Sequence, residues 1–266
     1  VKSGIEGHQE AEELRMKFDE DPENYHRSRP DYPGALFSDL IAYAGLEGER
    51  SALEVGIGTG QATGPILATG CRVTGLDLGD RMIAYCQKRF SGMPGFQAEC
   101  VSFEDFDTQE TYDLLYSATA FHWVPPEVGF PKAYRLLRPG GTIALFWNHP
   151  FVGRAEDPLH REIQRAYRRY RPGTAAPREF AEPDCSRYRD LLEEYGFAEV
   201  QYRLYHRTRV MDGASYLALL NTYSDHRSME ADARTGLLRE IREAIEAFGK
   251  SITIYDTVDL YLGRRV

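Results

Sequence analysis

The sequence predicts an α/β fold: a mostly parallel sheet with helices on both faces, an antiparallel C-terminal edge and helical cap inserts. Three observations predict it. Between residues 51 and 147, short β-type runs alternate with helical patterns, and a Gly-rich turn follows the first run at once. Beyond residue 197, two segments switch to alternation of apolar and polar residues. Strand–helix alternation is the signature of a parallel sheet, whereas period 2 suits half-exposed antiparallel strands.

Ala52-Leu53-Glu54-Val55 is the first strand, and the Gly-rich turn after it opens a helix around residues 61–69. Arg72-Val73-Thr74-Gly75-Leu76 is the second strand, followed by a helix with Met82, Ile83, Cys86 and Phe90 on one face. Residues 96–101 and 112–116 are the third and fourth strands. A helix over 128–137 stops at Arg138-Pro139-Gly140-Gly141, which joins a breaker to a permissive turn, and residues 142–147 make the fifth strand. Residues 197–210 (Val200, Tyr202, Leu204) and 251–262 (Ile254, Val258, Leu260, Leu262) complete the sheet as its edge. The stretch 212–250 between them is helical, with Leu237, Leu238, Ile241, Ile245 and Phe248 on one face and Glu246 paired to Lys250 at i, i+4. Residues 148–186, rich in Arg, Pro and Glu, form a second excursion from the core.

The 266 residues suit one large domain with a cap, since two independent cores would be tight. The expected division is an arm or lid at 1–33 and a cofactor-binding core at 34–150. Cap inserts follow at 151–186 and 212–250, with C-terminal strands at 197–211 and 251–266. No apolar run approaches 18 residues, so no membrane span is expected. The polar, acidic start has no apolar stretch, so no secretory signal is expected either. Cys71, Cys86, Cys100 and Cys185 form no C-x-x-C pair, which argues against a disulfide framework or a zinc site and for a reducing, cytoplasmic setting. A net charge of −9 argues against a nucleic-acid partner. Oligomeric state is left open.

The chemistry concentrates after the first strand. Gly56, Gly58 and Gly60 let the backbone approach a ligand, and the helix start that follows offers free N–H groups. Asp77 ends the second strand, where a carboxylate accepts hydrogen bonds from both hydroxyls of a ribose. A nucleoside cofactor is therefore expected. A dinucleotide fingerprint is incomplete here, because the place of its third glycine holds Gln61. Glu54 stands two residues before Gly56; a carboxylate there repels a pyrophosphate but favours an ammonium group. S-adenosylmethionine carries an amino group and a sulfonium and no phosphate, so the charge logic favours it.

The segment 52–62, ALEVGIGTGQA, resembles motif I of class I S-adenosylmethionine-dependent methyltransferases. Val73-Thr74-Gly75-Leu76-Asp77 with Met82 resembles the family's next motif. Ala118-Thr119-Ala120-Phe121-His122-Trp123 resembles a loop of its small-molecule branch, which includes trans-aconitate methyltransferase-like proteins. Residues 136–141 match the turn before strand five, and Tyr25, Arg29-Pro30 and Tyr32-Pro33 match the branch's N-terminal arm. The resemblance implies a Rossmann-like methyltransferase fold with a seven-stranded sheet and methyl transfer to a small-molecule acceptor. It also implies that Gly56, Gly58 and Gly60 line the methionyl part, with Glu54 near its ammonium and Tyr25 and Arg29 nearby, Arg29 facing the carboxylate. Asp77 would hold the ribose, Leu78 and Met82 would flank the cofactor, and Ala118 and Phe121 would border it from strand four. At the adenine turn, Ser102-Phe103 stands where many members have an Asp before a small residue, a departure that weakens the acceptor and adds bulk.

Methyl transfer from a sulfonium needs alignment and a dry site more than acid–base help. A phenol, amine or alcohol acceptor must nevertheless lose a proton, and His122, after strand four, is the candidate base; it equally suits a role in orienting the acceptor. Trp123, Tyr216 and Asn221 are the candidate acceptor-site residues, with Tyr223 and His226 close by. The histidines show no metal-ligand spacing, so no metal is expected. Arg161, Arg165, Arg168, Arg169 and Arg171 read either as an anion site or, more economically, as a solvated helix face. Two rival functions are weighed: a non-catalytic S-adenosylmethionine-binding sensor, which keeps every cofactor motif, and an NAD(P)-dependent oxidoreductase, which would also use Asp77 but leaves Glu54 and Gln61 unexplained.

Overall fold

Seven strands form one sheet in the order β3-β2-β1-β4-β5-β7-β6 in a computed structural model of the chain, which describes Asp19 and residues 21–266. The strands are β1 (Ser51–Val55), β2 (Arg72–Asp77), β3 (Phe96–Cys100), β4 (Tyr112–Ala118), β5 (Leu137–Phe151), β6 (Phe197–Asp212) and β7 (Ser251–Arg265). Pairs β1–β2, β2–β3, β1–β4 and β4–β5 are parallel; β5–β7 and β6–β7 are antiparallel. The expected α/β class with an antiparallel C-terminal edge is borne out. The strand order reverses between β1 and β4, and the crevice beyond their C-terminal ends is where open α/β sheets bind ligands.

Both sheet faces are covered, which is why β1 and β4 read as nearly continuous apolar runs. One face packs Ala52, Val73, Leu114 and Phe146 against α2 (Gly34–Ala44), α3 (Thr63–Leu67) and α4 (Asp80–Arg89). The other packs Leu53, Val55, Leu115 and Tyr261 against α5 (Pro126–Leu136) and α7 (Ser186–Glu194). A third buried cluster joins α6 (Pro158–Tyr170), α8 (Gly213–Leu220) and α10 (Ala231–Ala247) to Ile252 and Ile254 at the start of β7. These helices form the cap. Each has a carboxylate at its N-terminus, from Asp157, Asp212 and Glu230 in turn, accepting from backbone N–H groups that would otherwise be orphaned.

What carries the cap is the length of the last strands. β4 ends against Phe146, yet β5 continues to Phe151 and stays paired with β7 as far as Tyr255. Five residues, or about 16 Å of strand, thus rise past the parallel sheet. Asp256 lies at this rise, accepting from Arg207 Nε (3.1 Å), Arg209 Nη2 (2.9 Å) and Asn148 Nδ2 (3.3 Å), with Arg209 Nε on it as well.

Two expectations need correcting in detail. β5 does not wait for Thr142: it starts at Leu137 and carries the Pro-Gly-Gly turn as a bulge, its register shifting between Tyr112 and Leu114, with Gly140 at φ 79°. The helical stretch 212–250 is three helices, because α9 (Ser224–Arg227) is set off by breaks at Asn221–Tyr223 and Ser228–Glu230. Of the expected arm, residues 1–18 and 20 lie outside the described residues. The remainder includes α1 (Pro22–Ser28), and Asp19 Oδ1 accepts from Met82 N at 2.8 Å in the first turn of α4.

Candidate functional site

Glu54 leaves β1 into the protein interior, 1% exposed. Its Oε2 accepts from Thr63 Oγ1 (2.6 Å) and Tyr116 OH (2.7 Å). Its Oε1 is buried without a hydrogen-bond partner among the described residues. Burial pushes the carboxyl up to about 7, against the pull of the Thr63 and Tyr116 bonds. The chain then turns at Gly56 (φ 73°), whose N–H and that of Ile57 both donate to Leu76 O at 2.9 Å. A Cβ at Gly56 would stand 2.3 Å from Ala120 Cβ, so the loops after β1 and β4 approach as closely as only glycine permits. Asp77 closes the other side. Its Oδ2 accepts from Gly58 N (2.8 Å) and its Oδ1 from Gly79 N (3.0 Å), while desolvation raises its pKa despite both bonds.

These groups border a cleft of about 260 Å³. The structure brings to it Tyr25, Arg29, Gly56, Gly58, Asp77, Leu78, Met82, Ser102, Phe103 and Ala118, together with His122 and Trp123. Glu54 lies on an adjoining hollow of about 60 Å³ that shares Tyr25, Arg29, Gly56 and Gly58 with the cleft. Two of the expected cofactor residues stand behind the surface instead. Gly60 packs against Phe90, which a Cβ would meet at 2.5 Å. Phe121 is 1% exposed, supporting Phe103 (ring centroids 6.0 Å) and Phe130 (5.2 Å). Ser102 Oγ spends its donor on Asp105 Oδ2 (2.7 Å) and accepts from Asp105 N (2.9 Å). Arg29 is a strut from arm to cap: Nη2 donates to Thr222 O (2.8 Å), and the guanidinium lies over the Tyr25 and Tyr223 rings.

His122 sits exposed on the 3-10 turn Phe121–Trp123, with Nδ1 accepting from Trp147 Nε1 at 3.0 Å. An indole N–H only donates, so the neutral imidazole carries its own hydrogen on Nε2. Its cleft-facing chemistry is that of a donor. This suits the orienting role better than the base role expected of it.

A second cavity, about 350 Å³, lies under the cap and meets the first at Tyr223 and Asp225, which line both. Tyr167, Arg168, Arg171, Tyr216 and His226 line it. The arginine run is therefore divided: Arg165 pairs with Glu162 and Arg169 with Glu240 outside, whereas Arg168 and Arg171 reach the cavity. Of the expected acceptor residues, Tyr216 lines this cavity and Trp123 the cleft. Asn221 is in neither: its Oδ1 accepts from Arg234 Nη2 (2.5 Å) in a separate hollow with Asp21 and Asn24. Five residues on from Tyr216, it points about 140° away around the helix. Tyr167 and Asp225 were missed, since neither belongs to a recognisable spacing.

Residues 53–145 match the family described as Methyltransferase domain. The chain is 27% identical over 224 residues to an uncharacterized methyltransferase-like protein of Schizosaccharomyces pombe, covering 80% of each. It is 28% identical over 130 residues to trans-aconitate 2-methyltransferase of Acidovorax, covering 48% of this chain and 49% of the other. This chain carries a methyltransferase domain, and the relatives it matches are methyltransferases. In fold, the methyltransferase superposes on a chain from Anaeromyxobacter dehalogenans described as a type II methyltransferase, with TM-score 0.61, 23% identity and coverage of 90% and 98%. The family match spans β1 to the middle of β5, and so takes in Glu54, the glycine loop, Asp77 and the turn after β4. The cap lies outside that match. Among the described residues, no helix of the methyltransferase is long and apolar enough to cross a membrane.

Proposed function

We propose that the methyltransferase moves a methyl group from S-adenosylmethionine to a small organic acceptor held in the second cavity. The observation that carries this reading is the meeting of two cavities at Tyr223 and Asp225. One is built for a cationic nucleoside; the other is aromatic, partly basic and covered by the cap. The cofactor supplies a methyl group on a sulfonium centre, whose leaving group is a neutral thioether. The residues present fit it: Glu54 Oε1, buried and without a donor, would take the ammonium, and the Gly56 turn has no side chain to obstruct it. Asp77 would hold the ribose hydroxyls, and Leu78, Met82, Val101 and Phe103 would wall the base. Arg29 and Tyr223 would close the arm against the cap, excluding water from the junction. The acceptor of the Acidovorax relative, trans-aconitate, is an anion, and Arg168 and Arg171 make an anionic group acceptable here too.

The test is calorimetric titration with S-adenosylmethionine and with NAD, followed by screening of small acceptors for S-adenosylhomocysteine release. Binding of NAD in preference to S-adenosylmethionine would overturn the reading, as would turnover confined to macromolecules. Within it, Asp77→Ala is expected to weaken S-adenosylmethionine by about 1–3 kcal/mol, roughly 5- to 150-fold, because ribose hydroxyls and the Gly58 and Gly79 N–H groups all lose an acceptor. Unchanged affinity in that titration would remove Asp77 from the ribose site.

A further inference from the structure

In the second cavity, His226 is 4% exposed and engaged at both ring nitrogens. Nδ1 lies 2.8 Å from Asp225 Oδ1, and Nε2 lies 2.8 Å from Tyr167 OH. Asp225 is also held by Arg171 Nη1 at 2.6 Å, and His226 and Arg171 together keep its carboxyl well below the usual carboxylate range. An ionised carboxylate only accepts, so Nδ1 carries the imidazole hydrogen and Nε2 offers its lone pair to the Tyr167 hydroxyl. Burial raises the Tyr216 hydroxyl well above its usual range, with Tyr167 and Tyr223 as its neighbours. The groups facing His226 are thus Tyr167 from α6, Tyr216 from α8 behind it, and Tyr223 and Asp225 from its own segment, with Arg171 beyond Asp225. At His122, by contrast, Nδ1 is the acceptor, taking the Trp147 Nε1 hydrogen.

We propose that Tyr167, His226 and Asp225 form a proton relay serving a phenol or other hydroxyl acceptor in the second cavity. This rests on the reading of that cavity as the acceptor site. The acceptor's O–H bond breaks, and its proton passes to the Tyr167 oxygen while the Tyr167 hydroxyl proton moves to His226 Nε2. The acceptor oxygen forms the O–CH3 bond as the S–CH3 bond breaks, its electron pair staying on sulfur. The positive charge lost from sulfur reappears on the His226 imidazolium, where Asp225 stabilises it. Asp225 lines both cavities, so the relay ends where donor and acceptor meet.

The probe is 4-nitrophenol, whose anion is yellow and whose neutral form is not, added to the protein without cofactor at a pH below the phenol's own pKa. Wild type is expected to bind it with its ionised-to-neutral ratio raised about tenfold or more over buffer, the signature of a proton passed to the protein. His226→Gln and Tyr167→Phe are expected to bind the probe with the ratio it has in buffer, while S-adenosylmethionine titration shows their folded cofactor site intact. A probe that stays neutral on wild type, or does not bind, overturns the relay. So does ionisation that survives His226→Gln and disappears in Arg168→Gln, which would mark a simple anion site. Failure of wild type to bind S-adenosylmethionine, with the probe still ionised, would instead count against the methyl-transfer reading and leave the relay standing.

Discussion

Asp256→Ala is expected to lower the thermal midpoint of the methyltransferase by roughly 6–12 °C, the equivalent of about 3 kcal/mol in a chain of this size. Asp256 is 2% exposed and lies on β7 between the two large clusters of sheet and cap: Ile252 and Ile254 belong to the cap, Val258 and Leu260 to the sheet. Arg207 and Arg209, both from β6, converge on its carboxylate, and Asn148 reaches it from β5. Arg207 Nη1 also donates to Asp31 O, which ties the arm to the same point. Removing the carboxylate leaves two guanidiniums without their shared counter-ion. Breaking a buried pair in this way costs about 3–5 kcal/mol. Here the lower end applies, because Arg207 and Arg209 keep side-chain exposures of 24% and 17% and recover some hydration. Scanning calorimetry checks the midpoint. Hydrogen exchange should also quicken across 213–247, since the rise of β5, β6 and β7 is the cap's attachment. A shift under 2 °C with unchanged exchange would show that strand pairing alone holds the cap.

The same extension shows where the sequence stopped being legible. Strands β1 and β4 were readable because both of their faces are buried, so a short apolar run between turn residues has one meaning. β5 past Trp147 has β7 as its only ladder partner among the described residues, and it carries Asn148, His149 and Pro150; no period survives there. Glu54 and Asp77 were legible for a different reason. Their functions depend on position at a strand end, and strand ends are marked by the glycines that follow or the helix that begins. The cap's chemistry had no such marker. His226 and Asp225 are neighbours in sequence, but Tyr167 comes from 59 residues upstream and reaches them only because α6 packs on α10 and α8. The arginine run shows the limit of a one-helix argument. Arg168 and Arg169 are adjacent, yet one faces a cavity and the other pairs with Glu240, and only the position of α10 decides which.

S-adenosylmethionine affinity is expected to rise about tenfold per pH unit below 7 and to level off above it, with Glu54 as the titrating group. The carboxyl titrates at about 7 in the free protein because burial outweighs its bonds from Thr63 and Tyr116. An ammonium beside Oε1 favours the carboxylate, so cofactor binding below pH 7 must expel a proton. The effect on folding has the opposite sign. A folded pKa raised from 4.5 to about 7 gives stability that is complete below 4.5 and lost as pH climbs through 7, in all roughly 3 kcal/mol. The cofactor-free enzyme should therefore lose denaturation midpoint between pH 5 and 8, and bound cofactor should restore most of it. Glu54→Gln keeps the volume and removes the titration. It should flatten both pH profiles, and at pH 8 it should weaken S-adenosylmethionine by roughly 10- to 150-fold, the worth of one charged hydrogen bond. The control is 5′-methylthioadenosine, which has the nucleoside and thioether without the ammonium. Its affinity should be indifferent both to the substitution and to pH over this range. If the control follows the same pH slope as S-adenosylmethionine, the titrating group acts on the nucleoside half of the cleft, and Asp77 becomes the residue to replace next.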